Sequence, residues 1–321
     1  MRHPYDPIVD ANINRVCEGL RVLEDFARFT ASQKEMAQTL AQLRHTISHS
    51  SPNPVGQLAS RDSEKDVRAK ETPARRQSTQ ALLTANFKRV TEGLRVLEEV
   101  TGNAQFNAWR YDLYTLEKEL VLRQLKKPFA TPGIYLISHD IAILKRGIEW
   151  GVSLVQLRPR AEDLKSQLLQ DARELKEWTR QTDTALIVND HLDVALLSDA
   201  DGFHSGQDAL AISELRKILG PHKIVGRTTH SLEQGKIAAA EGADYVSVGP
   251  IWETPSKPGR PAIGFDYLSE AATLSIPYVA IGGIDAARFD EILHYSPPLI
   301  GLVRDYAKVP ELLSKLKASV C

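Results

Sequence analysis

Between Val155 and Arg160 the chain reads VQLRPR, which sets Gln156, Arg158 and Arg160 at alternate positions. Alternate residues of a strand share one face. Two guanidiniums side by side can grip a diphosphate bidentately. The same triplet also reads as a solvated strand end. Downstream, ALIVND ends in Asn189 and Asp190, an amide donor beside a hard-oxygen ligand suited to Mg²⁺, or equally a turn or helix cap. GRTTHS offers Thr228, Thr229, His230 and Ser231, hydroxyls that serve a ligand or an N-cap. GPIWETPSKPG holds Thr254, Pro255, Ser256 and Lys257, a loop stiffened by proline and carrying one cation. AIGGID supplies Gly282 and Gly283, whose bare backbone N–H groups can approach a phosphate or simply make a tight turn.

These residues close short apolar runs that alternate with amphipathic helical stretches. The runs are GIYLIS, SLVQLR, ALIVND, GFHSG, KIVGRT, YVSVGPIW, YVAIGGID and LIGLV. Eight such units predict a compact (β/α)8 TIM barrel, with a doubly wound sheet as the alternative. The barrel is preferred because the polar groups gather just past the strand ends, at the one face where barrel sites form.

Ahead of it, apolar residues recur at helical spacing, predicting an all-α N-terminal bundle with an internal helix repeat. NRVCEGLRVLED from Asn14 returns as KRVTEGLRVLEE from Lys88. Asn12, Arg15, Glu18 and Arg21 thereby match Asn86, Arg89, Glu92 and Arg95, each three apart. Gly19 and Gly93 interrupt both copies, each costing about 0.8–1.0 kcal/mol against alanine, so close approach to a helix or ligand is expected. The pattern suggests a pseudo-twofold bundle with both stripes facing a shared cleft. The plainer reading is a solvated stripe of ion pairs. Further helices are expected from Met36 and Trp109, bringing Arg44, His45, Arg110, Tyr111 and Tyr114. The polar stretch 50–77 reads as a long loop offering Arg61, Asp62, Asp66 and Arg68. The expected organisation is a helical domain over 1–127, a linker over 128–132 and the barrel over 133–321.

A net charge of −1 over 321 residues argues against bulk attraction to nucleic acid or an anionic membrane. The first residues lack an apolar signal core, and no apolar run approaches eighteen residues. Cys17 and Cys321 stand at opposite ends, which fits a reducing, cytoplasmic setting rather than a disulfide framework. Self-association is left open.

Taken in order, YLIS, VQLRPR, LIVNDHLDVALLSDADGFHSGQD, GRTTHS, GADYVSVGPIWETPSKPG and IPYVAIGGI resemble the thiamine phosphate synthases from about Gly133 to Tyr306. The resemblance implies that hydroxymethylpyrimidine diphosphate and a thiazole phosphate yield thiamine phosphate and diphosphate. By position it assigns Gln156, Arg158, Arg160, Asn189, Thr228 and Lys257 to the pyrimidine diphosphate. Thr254, Pro255, Ser256, Gly283, Val303 and Arg304 fall to the thiazole phosphate, and Asp190 to Mg²⁺.

Arg160 stands where the family usually has lysine. Ala209 stands where the family has its second Mg²⁺ carboxylate, with Asp208 adjacent but expected to point elsewhere. Arg304 replaces the family's serine. The latter two departures are the only support for an alternative, a thiazole tautomerase. The segment from about Asp10 to Leu125 is similar to the helical domain fused ahead of some bacterial synthases, on N..RV.EGLRVLE twice, LRH, RD...DV and WRYDLYTLEKEL. That domain is associated with hydroxymethylpyrimidine phosphate kinase activity, which implies ATP as co-substrate. No Walker-type glycine loop is present. The alternative is a non-catalytic regulatory or dimerising bundle.

Overall fold

The computed structural model describes residues 4–31, 33–51, 53–60, 76–254 and 261–319. The chain forms two compact units, 1–125 and 126–321. Arg61, Asp62, Asp66 and Arg68 of the first unit, and Pro255, Ser256 and Lys257 of the second, lie outside the described residues, as does Cys321.

The first unit contains α1 (Asp6–Asp25), α2 (Lys34–Ser48), α3 (Pro54–Ser60), α4 (Thr79–Thr101) and α5 (Ala104–Arg123). A helix, α3, thus occupies part of the stretch read as loop. Asn53 starts it by accepting the Gly56 N–H at 3.2 Å, and Pro54 takes the first helical position, where its missing N–H costs nothing.

The two copies of the repeat are α1 and α4, packed against each other. Val16, Leu20 and Leu23 of one and Val90, Leu94 and Leu97 of the other are fully buried. The contact is reciprocal. A Cβ on Gly19 would sit 2.6 Å from Val90 Cγ2, and a Cβ on Gly93 would sit 2.6 Å from Val16 Cγ2. An approximate twofold relation requires that symmetry. The glycines therefore serve a helix–helix crossing.

In the second unit eight parallel strands close in sequence order, β1 pairing with β8. They are β1 (Gly133–Ser138), β2 (Leu154–Leu157), β3 (Ala185–Asn189), β4 (Gly202–Ser205), β5 (Ile224–Thr229), β6 (Tyr245–Val248), β7 (Tyr278–Ala280) and β8 (Leu299–Leu302). Between and after them run α6 (Ile141–Trp150), α7 (Lys165–Thr179), α8 (Leu192–Leu197), α9 (Ile212–Leu219), α10 (Leu232–Ala240), α11 (Asp266–Ala271), α12 (Phe289–Leu293) and α13 (Val309–Ala318).

Strand parity sorts the side chains. Tyr135, Ile137, Leu154, Ile187, Ile224, Tyr245, Val279 and Leu299 fill the barrel interior. Their neighbours Leu136, Val155, Leu186, Val225, Val246 and Ile300 pack outward with residues of the surrounding helices, such as Leu144 and Leu175. The segment read as the end of the helical domain plus a linker packs on the barrel. Lys126 bonds Asp244, Lys127 bonds the Thr179 carbonyl, and Phe129 lies edge-on to Tyr245 at 6.3 Å.

Candidate active site

Inward parity carries past the strand ends and builds a cavity of about 400 Å³. Gln156, Arg158, Asn189, Asp190, Thr228, Thr254, Gly283, Val303 and Arg304 all line it. These residues come from six different strand ends, so only ring closure could assemble them.

Arg160 is not among them. β2 stops at Leu157, so the alternation that extended to Arg160 ends before it is reached. Its side chain is half exposed and bound to Asp163 at 3.1 Å. The Asp163 carboxyl is held below its usual range, first by the Arg160 backbone N–H and then by the Arg160 side chain.

Asp190 takes a left-handed backbone, φ 58°, an uncommon conformation for non-glycine residues in which Asn and Asp are enriched. Its N–H is held by the His204 carbonyl at 2.9 Å, and its Oδ2 accepts from the Asn189 amide at 2.7 Å. After the neighbouring strand β4, Asp208 and Ala209 both line the same cavity. The expectation that Asp208 points elsewhere fails because 206–209 is a turn, and strand alternation does not separate neighbours there. Gln207 and Arg227 brace that turn, through the Thr228 carbonyl and through the Gly206 and Leu210 carbonyls respectively.

On the β6–β8 side, Arg304 Nη2 donates to Thr254 Oγ1 at 3.0 Å. Gly282 and Gly283 have φ of +100° and +72°, and a Cβ on either would fall within 2.6 Å of Pro250 or Trp252. Their backbone is thus bare toward the cavity they line.

The floor is a buried hydrogen-bonded chain. Gln156 Nε2 donates to Tyr135 Oη (2.6 Å), which meets Tyr245 Oη (2.7 Å). Tyr245 Oη meets His204 Nδ1 (3.0 Å), and His204 Nε2 meets Thr228 Oγ1 (3.0 Å). Burial pushes both phenols up, so they keep their protons at neutral pH. Sequence reading missed Tyr135, His204, Gln207, Ser247 and Tyr245. Counting parity from Gln156 through each strand would have found His204 and Ser247. Of the GRTTHS groups, Ser231 caps α10 by accepting from Gln234 N, and His230 Nδ1 pairs with the Gly249 carbonyl at 2.6 Å.

In the helical unit the stripe residues are spent largely on one another. Asn12 and Asn86 are buried, donate to the Ile8 and Leu82 carbonyls at 2.8 Å, and accept from Arg15 and Arg89 at 3.1 Å. Arg21 pairs with Glu24 and Asp25, and Arg95 with Glu98 and Glu99. Arg44 reaches Glu24 at 2.8 Å and Arg110 reaches Glu98 at 3.1 Å. Glu18 and Glu92 are exposed, the latter 3.8 Å from Lys88. The stripe thus forms a duplicated network of pairs in which Arg21 and Arg95 stay half exposed. Its hubs, Glu24 and Glu98, were overlooked although the repeat VLED/VLEE contains both.

The family model described as thiamine monophosphate synthase matches residues 131–304, and the ThiD2 family model matches 7–119. A thiamine-phosphate synthase of Synechocystis sp. is 38% identical over 312 residues, covering 92% of this chain and 90% of that relative. One from Nostoc punctiforme is 36% identical, covering 96% and 92%. The solved thiamine phosphate pyrophosphorylase from Pyrococcus furiosus is similar at 27% identity and TM-score 0.53, covering 62% of this chain and all of that one. No helix among the described residues is long and apolar enough to cross a membrane.

Proposed function

Because the chain belongs to the thiamine monophosphate synthase family, we propose that its barrel joins hydroxymethylpyrimidine diphosphate to a thiazole phosphate. The observation that carries this reading is the convergence of two anion-handling sets in one cavity. Gln156, Arg158, Asn189 and Thr228 form one, and Thr254, Gly283 and Arg304 the other. In the reaction, the bond between the pyrimidine methylene and the diphosphate breaks, with the electron pair leaving on oxygen. The thiazole nitrogen then supplies the pair for the new C–N bond. The protein's task is to stabilise the departing charge and exclude water. Arg158 grips the diphosphate, and Arg304 and the Gly282–Gly283 backbone hold the thiazole phosphate. Lys257, assigned from sequence, adds a cation.

Two carboxylates and an amide lining one cavity suit Mg²⁺, a hard cation satisfied by one or two protein carboxylates plus phosphate and water. Asp190 and Asp208 would hold it, and the ion would supply charge neutralisation to the diphosphate. Incubating the full chain with both substrates and Mg²⁺, and finding no thiamine phosphate by chromatography, would overturn the synthase reading. Arg158→Ala should raise KM for the diphosphate about ten- to a hundredfold, the loss of a charge-assisted contact. Unchanged KM removes Arg158 from the site. Asp208→Ala should shift the Mg²⁺ requirement to higher concentration. A wild-type Mg²⁺ titration would show that Asp208 does not substitute for the carboxylate missing at Ala209.

For the helical unit, the ThiD2 match supports a kinase that uses ATP to make the diphosphate from the monophosphate. The duplicated network, with its arginines bound to Glu24 and Glu98, favours instead a bundle whose charges hold helices together. Full-length Asp190→Asn separates the two, since the barrel would consume the diphosphate about 10²- to 10³-fold more slowly. Accumulation of diphosphate from monophosphate, ATP and Mg²⁺ establishes the kinase. None formed leaves the structural bundle.

A further inference from the structure

Tyr245 does not line the cavity, yet it sits at the centre of the hydrogen-bonded floor. Its ring stacks on His204 (5.6 Å, 18°) and meets Tyr135 edge-on (5.6 Å, 83°). Room for it comes from Gly226. A Cβ there would fall 2.1 Å from Tyr245 Cζ and 2.6 Å from His204 Nδ1. The chain can form only where position 226 carries no side chain.

Proton counting gives this chain a direction. The Gln156 amide donates to the Tyr135 oxygen, so the Tyr135 proton passes on to Tyr245. The Tyr245 proton then goes to His204 Nδ1, which places the ring proton on Nε2, facing Thr228. The Thr228 hydroxyl proton can then turn to the cavity, while the Gln156 Oε1 presents an acceptor. An acceptor at one end and a donor at the other complement an aminopyrimidine edge, which pairs an exocyclic N–H with a ring nitrogen lone pair.

We propose that Tyr245 is a positioning residue for the pyrimidine. By linking Tyr135 to His204 it sets the direction of the whole chain, and so sets which of Gln156 and Thr228 accepts and which donates. The assignment of the ligand rests on the synthase reading above; the direction of the chain does not.

The test is Tyr245→Phe in the full chain, read by kinetics and by ¹⁵N NMR of the His204 ring. Removing the central hydroxyl should raise KM for hydroxymethylpyrimidine diphosphate about tenfold and leave KM for the thiazole phosphate unchanged. His204 should move from the Nε2–H tautomer to a mixture. Tyr135→Phe cuts the chain one link earlier. It should raise the same KM while His204 keeps its Nε2–H form, because Tyr245 still donates to it. That variant also carries the test if Tyr245→Phe does not fold.

Wild-type KM in either variant, or a wild-type His204 protonated on Nδ1, overturns the proposal. A wild-type chain that makes no thiamine phosphate but shows the expected tautomer and its Tyr245→Phe response overturns only the ligand assignment.

Discussion

Asp190→Asn is expected to lower thiamine phosphate formation about 10²- to 10³-fold, the range seen when one electrostatic stabiliser is removed from a reacting charge. Asparagine is the informative replacement. Asp190 holds φ 58°, and asparagine is among the few residues that tolerate this region. Alanine there would add about 1–2 kcal/mol of backbone strain, mixing a folding effect with a chemical one. Asp190→Asn keeps the shape and the left-handed turn while deleting the charge that would hold Mg²⁺ with Asp208. Circular dichroism and melting should match the wild type while turnover falls. A variant with near-normal turnover at ordinary Mg²⁺ would remove Asp190 from the metal site and leave the departing diphosphate to Arg158.

Gly93→Ala should destabilise the helical unit by about 1–2 kcal/mol, even though alanine is about 0.8–1.0 kcal/mol the better helix former. The new methyl would meet Val16 Cγ2 at 2.6 Å. Val16 is fully buried on a rigid helix and β-branched, so it has one strongly preferred rotamer and nowhere to turn. Overpacking of this kind typically costs about 1–3 kcal/mol. Hydrogen exchange in α1 and α4 measures the loss. Trimming the opposing side chain with Val16→Ala should make Gly93→Ala cheaper than it is alone, a coupling that only contacting residues show. Added protection in Gly93→Ala would mean that the two helices do not cross here. Gly19→Ala against Val90 should behave in the same way, since the contact is reciprocal.

These two variants divide what could be read along the chain from what could not. All eight apolar runs became strands, and the alternation of side-chain direction along each is a local property. Burying Leu136 outward forces Tyr135 and Ile137 inward, whatever the rest of the chain does. The repeat was equally plain, and its glycines signalled close approach before any partner was known. The short helix α3 was missed because its signals, Asn53 and Pro54, read equally well as turn residues.

Arg160 and Asp208 show where local reasoning stops. Both lie just beyond a strand, where alternation no longer sets direction. Arg160 turns to Asp163 outside the cavity and Asp208 turns to its wall. The pairing partners of the helical unit stayed hidden for a related reason. Residue type and spacing show that Arg44 and Arg110 can pair with an acid, but only packing brings them to Glu24 and Glu98.

The sequence by itself determined the barrel, its strand order and the duplicated helix. Tertiary structure alone decided which of the candidate residues share a cavity, and that Tyr245 joins Gln156 to Thr228 behind it. The physical reason is that strand parity is set by neighbours in sequence. Contact across a closed ring is set by which strands closure brings face to face.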